Sequence, residues 1–171
     1  VLGRGGFGEV VAGFYQRTPA AIKLFIADLT DENRDAIALE ARVHWAVQAR
    51  CPAHVLQLYG LLLPGSGPQD KPCVVMELAA GTLRDLIHAS STIPRPQLLA
   101  VVVPLLAQLA MALWYMHDRG VAHCDVKPGN VFVVLTAAGL ARIKIGDFGL
   151  TRVAADEGDG ASARPRRPRA H

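Results

Sequence analysis

The chain has 171 residues, 51% of them hydrophobic, which argues for a packed globular body and against disorder. Its formal net charge is +3. Four of its 18 basic residues are Arg164, Arg166, Arg167 and Arg169, so residues 1–163 hold 14 basic against 15 acidic side chains. The body has no basic surplus to mark a nucleic-acid binder, and the Arg/Pro stretch reads as a solvated tail.

Glycines at 3, 5 and 8 open the chain, and Val1 stands almost inside that motif, so an upstream start is expected. Val10-Val11-Ala12-Gly13 and Ala20-Ala21-Ile22-Lys23-Leu24 read as short strands joined by a loop ending at Thr18-Pro19. Thr30 or Asp31 can cap a helix running to about Ala49. On that helix Ile37, Glu40, Val43, His44 and Val47 share one face. Leu56 to Leu63 and Cys73 to Leu78 are apolar, strand-like runs around a Pro64–Pro68 loop. Gly81-Thr82 is expected to start a short helix through Ile87. Pro96 suits the first turn of a long helix that Pro104 should kink and Gly120 should end. Val131 to Leu135 and Ala141 to Ile145 read as two more strands, and residues 152–171 read as an irregular tail.

Pro96 to Met116 carries no charged residue and is long enough to suggest a membrane span. Pro104 and Gln108 interrupt it, and it runs directly into His117-Asp118-Arg119-Gly120, so a membrane span is not expected. The three cysteines, Cys51, Cys73 and Cys124, fit neither a disulfide framework nor a zinc site, which points to a reducing, intracellular setting. Nothing in the sequence sets the oligomeric state.

Four motifs follow one another in fixed order. They are Gly3-Arg4-Gly5-Gly6-Phe7-Gly8-Glu9-Val10, Ala21-Ile22-Lys23, His123-Cys124-Asp125-Val126-Lys127-Pro128-Gly129-Asn130 and Asp147-Phe148-Gly149. Together they resemble the protein kinases of the serine/threonine class. The resemblance covers residues 1–151. It implies a bilobal α+β fold, with a sheet-rich N-lobe over 1–79 and a partial helical C-lobe over 80–151, cut off after the last motif. It also implies a buried helix at Pro96 to Met116. Without the later helices, residues 1–171 alone are expected to be poorly stable and weakly active.

The chemistry of each motif fits that resemblance. Glycines at Gly3, Gly5, Gly6 and Gly8 let backbone amides approach phosphate oxygens. Dinucleotide-binding folds share the spacing, but there a helix follows, whereas Glu9-Val10-Val11-Ala12 reads as a strand. Lys23 lies in an apolar strand and needs an anionic partner. Glu40 is favoured over Glu32, which sits in a first turn where an acid simply suits the helix dipole. The resemblance makes Lys23 a ligand of the ATP α- and β-phosphates and Met76-Glu77-Leu78-Ala79 the hinge that binds adenine. Val10, Ala21 and Phe132 would then sandwich the base, with Phe132 standing where leucine is common.

Asp125 would accept the proton of the attacking hydroxyl, and Lys127 would neutralise the transferring phosphoryl group. Asn130 and Asp147 would hold Mg2+. Lys127 implies Ser/Thr acceptors in a protein substrate. His123 would pack against Phe148. Cys124 stands where the family usually has arginine, which implies regulation without the usual pairing to a phosphorylated activation loop. It reads as an inert, partly buried thiol. The implied function is intracellular signalling by ATP-dependent phosphorylation of proteins. The alternative is an inactive relative acting as an ATP-binding or interaction module.

Overall fold

A computed structural model describes residues 1–5, 8–25, 30–63, 71–89 and 93–154. The Pro64–Pro68 loop, Gly6 and residues 155–171 lie outside the described residues.

The first half builds an antiparallel sheet from β1 (Gly3–Gly5), β2 (Gly8–Tyr15), β3 (Thr18–Phe25), β4 (Leu58–Leu62) and β5 (Cys73–Glu77), in the order β1-β2-β3-β5-β4. The expected loop before Thr18-Pro19 is instead a two-residue turn. Gln16 and Arg17 take φ of 47° and 69°, and both strands run up to the turn. A turn with two left-handed residues matches the twist of the flanking strands. Pro19 is tolerated in β3 because pairing with β5 begins only at Ala20, so its missing N–H faces no second ladder.

Helix α1 (Asp31–Arg50) packs beside this sheet. The Thr30 side chain accepts from the Asn33 amide at 3.2 Å, satisfying one of the unpaired donors of the first turn. Ile37, His44 and Val47 are buried on the face predicted for them. The apolar run from Leu56 is divided: only Leu58–Leu62 joins the sheet. Residues 54–56 instead pair with Ile145, through Leu56 N to Ile145 O at 2.9 Å and Ile145 N to His54 O at 2.8 Å.

The second half contains β6 (Gly81–Thr82), α2 (Leu83–Ala89), α3 (Arg95–Asp118), β7 (Val121–Ala122), β8 (Val131–Leu135), β9 (Ala141–Ile145) and β10 (Arg152–Val153). Gly81-Thr82 is a strand, not a helix start. It pairs with β8, and α2 begins one residue later. Thr82 and Asp85 cap that helix reciprocally: the Asp85 carboxylate accepts from the Thr82 amide at 2.7 Å, and the Thr82 hydroxyl oxygen accepts from the Asp85 amide at 3.3 Å. Helix α3 continues through Pro104 and ends before Gly120, whose φ is 68°. Arg152 and Val153, expected to lie in an irregular tail, instead pair with Ala122 and Val121, and the Ala154 amide donates to Gly120 O at 2.8 Å.

One core cluster joins the two halves. Val47 and Cys51 of α1 meet Ala112 and Met116 of α3, with Val55, Val121, Ile145 and Phe148. A second cluster joins Leu83, Leu105, Val131 and Ile143. The implied burial of α3 is only partial. Leu105, Ala112 and Met116 are buried, but Leu99, Val101, Val103, Leu106, Met111 and Trp114 are exposed. Among the described residues the packing on α3 covers one side of it, so a helix apolar all round is left partly uncovered. By length and composition alone α3 is apolar enough to cross a membrane. Its Gln108 nevertheless bonds β9, donating to Ala141 O at 3.4 Å and accepting from the Ile143 amide at 3.0 Å.

Candidate active site

A cleft of about 460 Å3 lies between the five-stranded sheet and the β6-β8-β9 sheet. Gly3, Val10, Ala21, Lys23, Glu40, Met76, Glu77, Ala79, Asn130, Phe132 and Asp147, all singled out from sequence, line it. Gly5 and Gly8 are placed opposite each other in the β1–β2 register, not on this wall. Gly8 has φ of 154°, and a Cβ there would overlap the Leu24 carbonyl, so β2 can approach β3 at this point only with glycine.

Alternation along β3 puts Ala21, Lys23 and Phe25 on one side of the strand. Lys23 Nζ lies 3.6 Å from Glu40 Oε1, with side-chain exposures of 26% and 34%. It also sits 4.9 Å from the centre of the Phe25 ring. The ammonium is thus held by a carboxylate and an aromatic face, as a half-buried cation requires. One helical turn beyond Glu40, His44 is buried and its ring packs 4.8 Å from that of Phe148. Its Nε2 donates to Leu56 O at 2.6 Å. Burial holds the His44 imidazole below its ordinary pKa.

The loop after β7 carries the densest polar network. His123 is buried with its ring 5.1 Å from Phe148, the packing expected for it. Its Nδ1 accepts from the Asp125 amide at 3.2 Å and its Nε2 donates to Gly146 O at 3.0 Å, which fixes the tautomer. Asp125 Oδ2 accepts from Lys127 Nζ at 2.6 Å and from Asn130 Nδ2 at 3.0 Å. The hydrogen bond from Lys127 is the largest of the effects that hold the Asp125 carboxyl below the usual carboxylate range. Asp125 and Lys127 stand beside the cleft, joined to its wall through Asn130.

Asn130 is 5% exposed, and its amide nitrogen is spent on the Asp125 carbonyl and carboxylate. Its side-chain oxygen and the Asp147 carboxylate are hard oxygen donors on the same cleft. Among the described residues no cluster of three or more His, Cys, Asp or Glu could cage a metal. This donor set fits a cation such as Mg2+ that takes its remaining ligands from phosphate and water. Asp147 adopts φ of 66° and Cys124 φ of 64°, two side-chain-bearing residues in the left-handed region. Cys124 is exposed, not partly buried, because this backbone geometry turns it outward, where its thiol donates to Ala122 O at 3.4 Å.

Sequence reasoning did not assign His44, Leu2, Asp85 or Gly129 to the site, although all four line the cleft. His44 could have been found from its place four residues after Glu40 on one helix face. Lys144 was also missed. It donates to Glu77 at 2.7 Å across the back of the cleft.

The family model described as protein kinase domain matches residues 1–164, running past Thr151, where the motif resemblance ends. The serine/threonine-protein kinase PknB of Mycobacterium leprae is 31% identical over 161 residues, covering 91% of this chain and 24% of that protein. PknB of Mycobacterium tuberculosis is 30% identical over 164 residues, covering 93% of this chain and 24% of its own length. A probable serine/threonine-protein kinase of Streptomyces coelicolor is 33% identical over 164 residues, covering 92% and 23%. The chain thus spans about a quarter of the length of these curated relatives.

Proposed function

The chain belongs to the protein kinase family, and on that premise we propose that it carries the catalytic cleft of a serine/threonine protein kinase. The reaction transfers the γ-phosphoryl group of ATP to a Ser or Thr hydroxyl of a protein substrate, in intracellular signalling. The observation that carries this reading is the convergence of Lys23–Glu40, Asn130 and Asp147 on one cleft between two sheets, with Asp125 and Lys127 joined to it through Asn130.

In this reading Val10 and Ala21 from one sheet and Phe132 from the other hold the base, and the backbone from Glu77 to Ala79 reads its edge. Lys23, kept in place by Glu40, binds the α- and β-phosphates. Asn130 and Asp147 hold Mg2+, which when bound offsets the charge of the phosphates. Asp125 orients the acceptor hydroxyl and takes its proton as the oxygen bonds to the γ-phosphorus and the bond to the β–γ bridging oxygen breaks. ADP then leaves. Lys127, paired with Asp125, neutralises the phosphoryl oxygens in this reading.

The second reading is a nucleotide-binding or interaction module without transfer, in which the exposed apolar side of α3 would carry a partner. Incubation with radiolabelled ATP, Mg2+ and a Ser/Thr-rich protein, followed by phosphoamino-acid analysis, separates the two. Phosphoserine or phosphothreonine supports transfer. Nucleotide binding without labelled product supports the module, and predominant phosphotyrosine contradicts the acceptor assignment.

A further inference from the structure

Gly146, just before Asp147, has no side chain where the structure has no room for one. A Cβ there would stand 2.8 Å from Cε2 and 3.2 Å from Cδ2 of Phe132, and 3.5 Å from Leu56 Cβ. The backbone does not demand glycine at this place, since the positive-φ glycines among the described residues are Gly8, Gly120 and Gly139. Space, not conformation, therefore favours glycine at 146: a methyl group there requires the Phe132 ring to shift.

Phe132 is pinned in that space. Its strand is flanked on both sides, with Thr82 opposite it in β6 and Lys144 opposite it in β9. Leu56, 2% exposed, also stands against the space beside Gly146. The side of the ring that is free is the cleft, which Phe132 lines together with Val10 and Ala21 from the other sheet. A methyl group at 146 would push the ring into that volume.

We propose that Gly146 is a positioning residue for the nucleotide site, matched to Phe132: the empty space beside it lets a whole aromatic ring, and not a smaller aliphatic side chain, form one wall of the base slot. This inference rests on the nucleotide reading above. An aromatic wall facing two aliphatic side chains suits the flat base of the nucleotide through stacking.

A double-mutant cycle tests the pairing. The affinity for ATP with Mg2+ is measured by titration calorimetry for the native chain, Gly146→Ala, Phe132→Leu and the double variant. Gly146→Ala is expected to bind about tenfold more weakly, in line with overpacking of a filled site. Phe132→Leu is expected to lose about two- to fivefold, through lost stacking. The double variant should fall within about threefold of Phe132→Leu alone, because leucine leaves the methyl group its space. Native-like binding by Gly146→Ala, or additive losses in the double variant, would overturn the pairing.

Thermal unfolding of the same four proteins gives a second readout. If Gly146→Ala fails to fold but the double variant folds and binds, the pairing is supported. If both fail to fold, it is overturned, because the methyl group then collides with something other than Phe132. A native chain that binds no ATP would contradict the proposed function instead. The Phe132–Gly146 coupling would then be read from the melting midpoints, where additive shifts overturn it.

Discussion

Lys144 Nζ lies 2.7 Å from Glu77 Oε2, an ion pair that ties the end of the five-stranded sheet to β9. The same carboxylate oxygen accepts from the Gln57 amide at 3.1 Å, and the Glu77 amide donates to Gln57 O at 2.8 Å. Three segments distant in sequence therefore meet on one side chain behind the cleft. With side-chain exposures of 17% and 22%, the pair is better shielded than Lys23–Glu40 or Asp125–Lys127.

Lys144→Met removes the cation and leaves Glu77 partly buried without it. A cost of about 1–2 kcal/mol is expected, between the values for exposed and buried pairs. For a domain of this size that is roughly a 2–8 °C fall in melting midpoint. Calorimetry of the variant checks it, and Lys144→Arg should recover most of the loss. An unchanged midpoint in Lys144→Met would show that the pair contributes nothing.

Lys23→Met is expected to weaken productive ATP binding and reduce phosphoryl transfer by at least about a hundredfold, as removal of a fixed charge that positions the reacting nucleotide does. Glu40→Gln should do the same more mildly, since it only frees the lysine from its 3.6 Å partner. Transfer rates equal to native in Lys23→Met would remove Lys23 from the site.

The hydrogen bond from Lys127 keeps the Asp125 carboxyl ionised to lower pH than an ordinary aspartate. Lys127→Met should therefore let its pKa rise. The acid limb of kcat/KM, which tracks loss of the carboxylate, should move to higher pH, besides the fall in rate from the missing charge. Because the native limb lies below the ordinary aspartate range, the pH–rate profile is read over about pH 3–6. An acid limb that stays put or moves down would contradict the assignment of Asp125 as the group whose ionisation controls transfer.

His44 and His54 both sit below their ordinary pKa, chiefly through burial. The folded state thus binds protons less readily than the unfolded chain, and stability must fall as pH drops through the ordinary histidine range. The melting midpoint should be highest above about pH 7 and decline between pH ~6.5 and 5, before the depressed carboxyls Asp85 and Asp125 begin to contribute. A midpoint that is flat or rises on acidification across that window would count against the burial of His44.

Much of the cleft was legible because its residues sit in short motifs with fixed chemistry. Lys23 and Glu40 could be paired from a strand and a helix face, and the Asp125-to-Asn130 spacing closed into the observed network. What could not be read were relations between distant segments. Nothing in the run from Leu56 to Leu63 showed that its first residues would pair with Ile145 and not enter the sheet. The turn at Gln16-Arg17 lacks the usual glycine or asparagine signal, and the outward thiol of Cys124 follows from a left-handed backbone that its sequence does not announce. Lys144 looked like an ordinary strand lysine until β9 was placed beside Glu77. The exposed side of α3 reflects what packs on it, which uniform hydrophobicity cannot reveal.

The most direct measurement compares Asp125→Asn with the native protein in two assays, nucleotide affinity and single-turnover phosphoryl transfer with ATP and Mg2+. In the proposed mechanism the carboxylate acts on the acceptor hydroxyl, and it stands beside the cleft, outside its lining. Affinity for ATP should therefore stay within about twofold, while the transfer rate falls by about 10²–10⁴. A transfer rate close to native, or a collapse of nucleotide binding with turnover retained, would contradict the role of Asp125 and with it the reading of this cleft as a phosphoryl-transfer site.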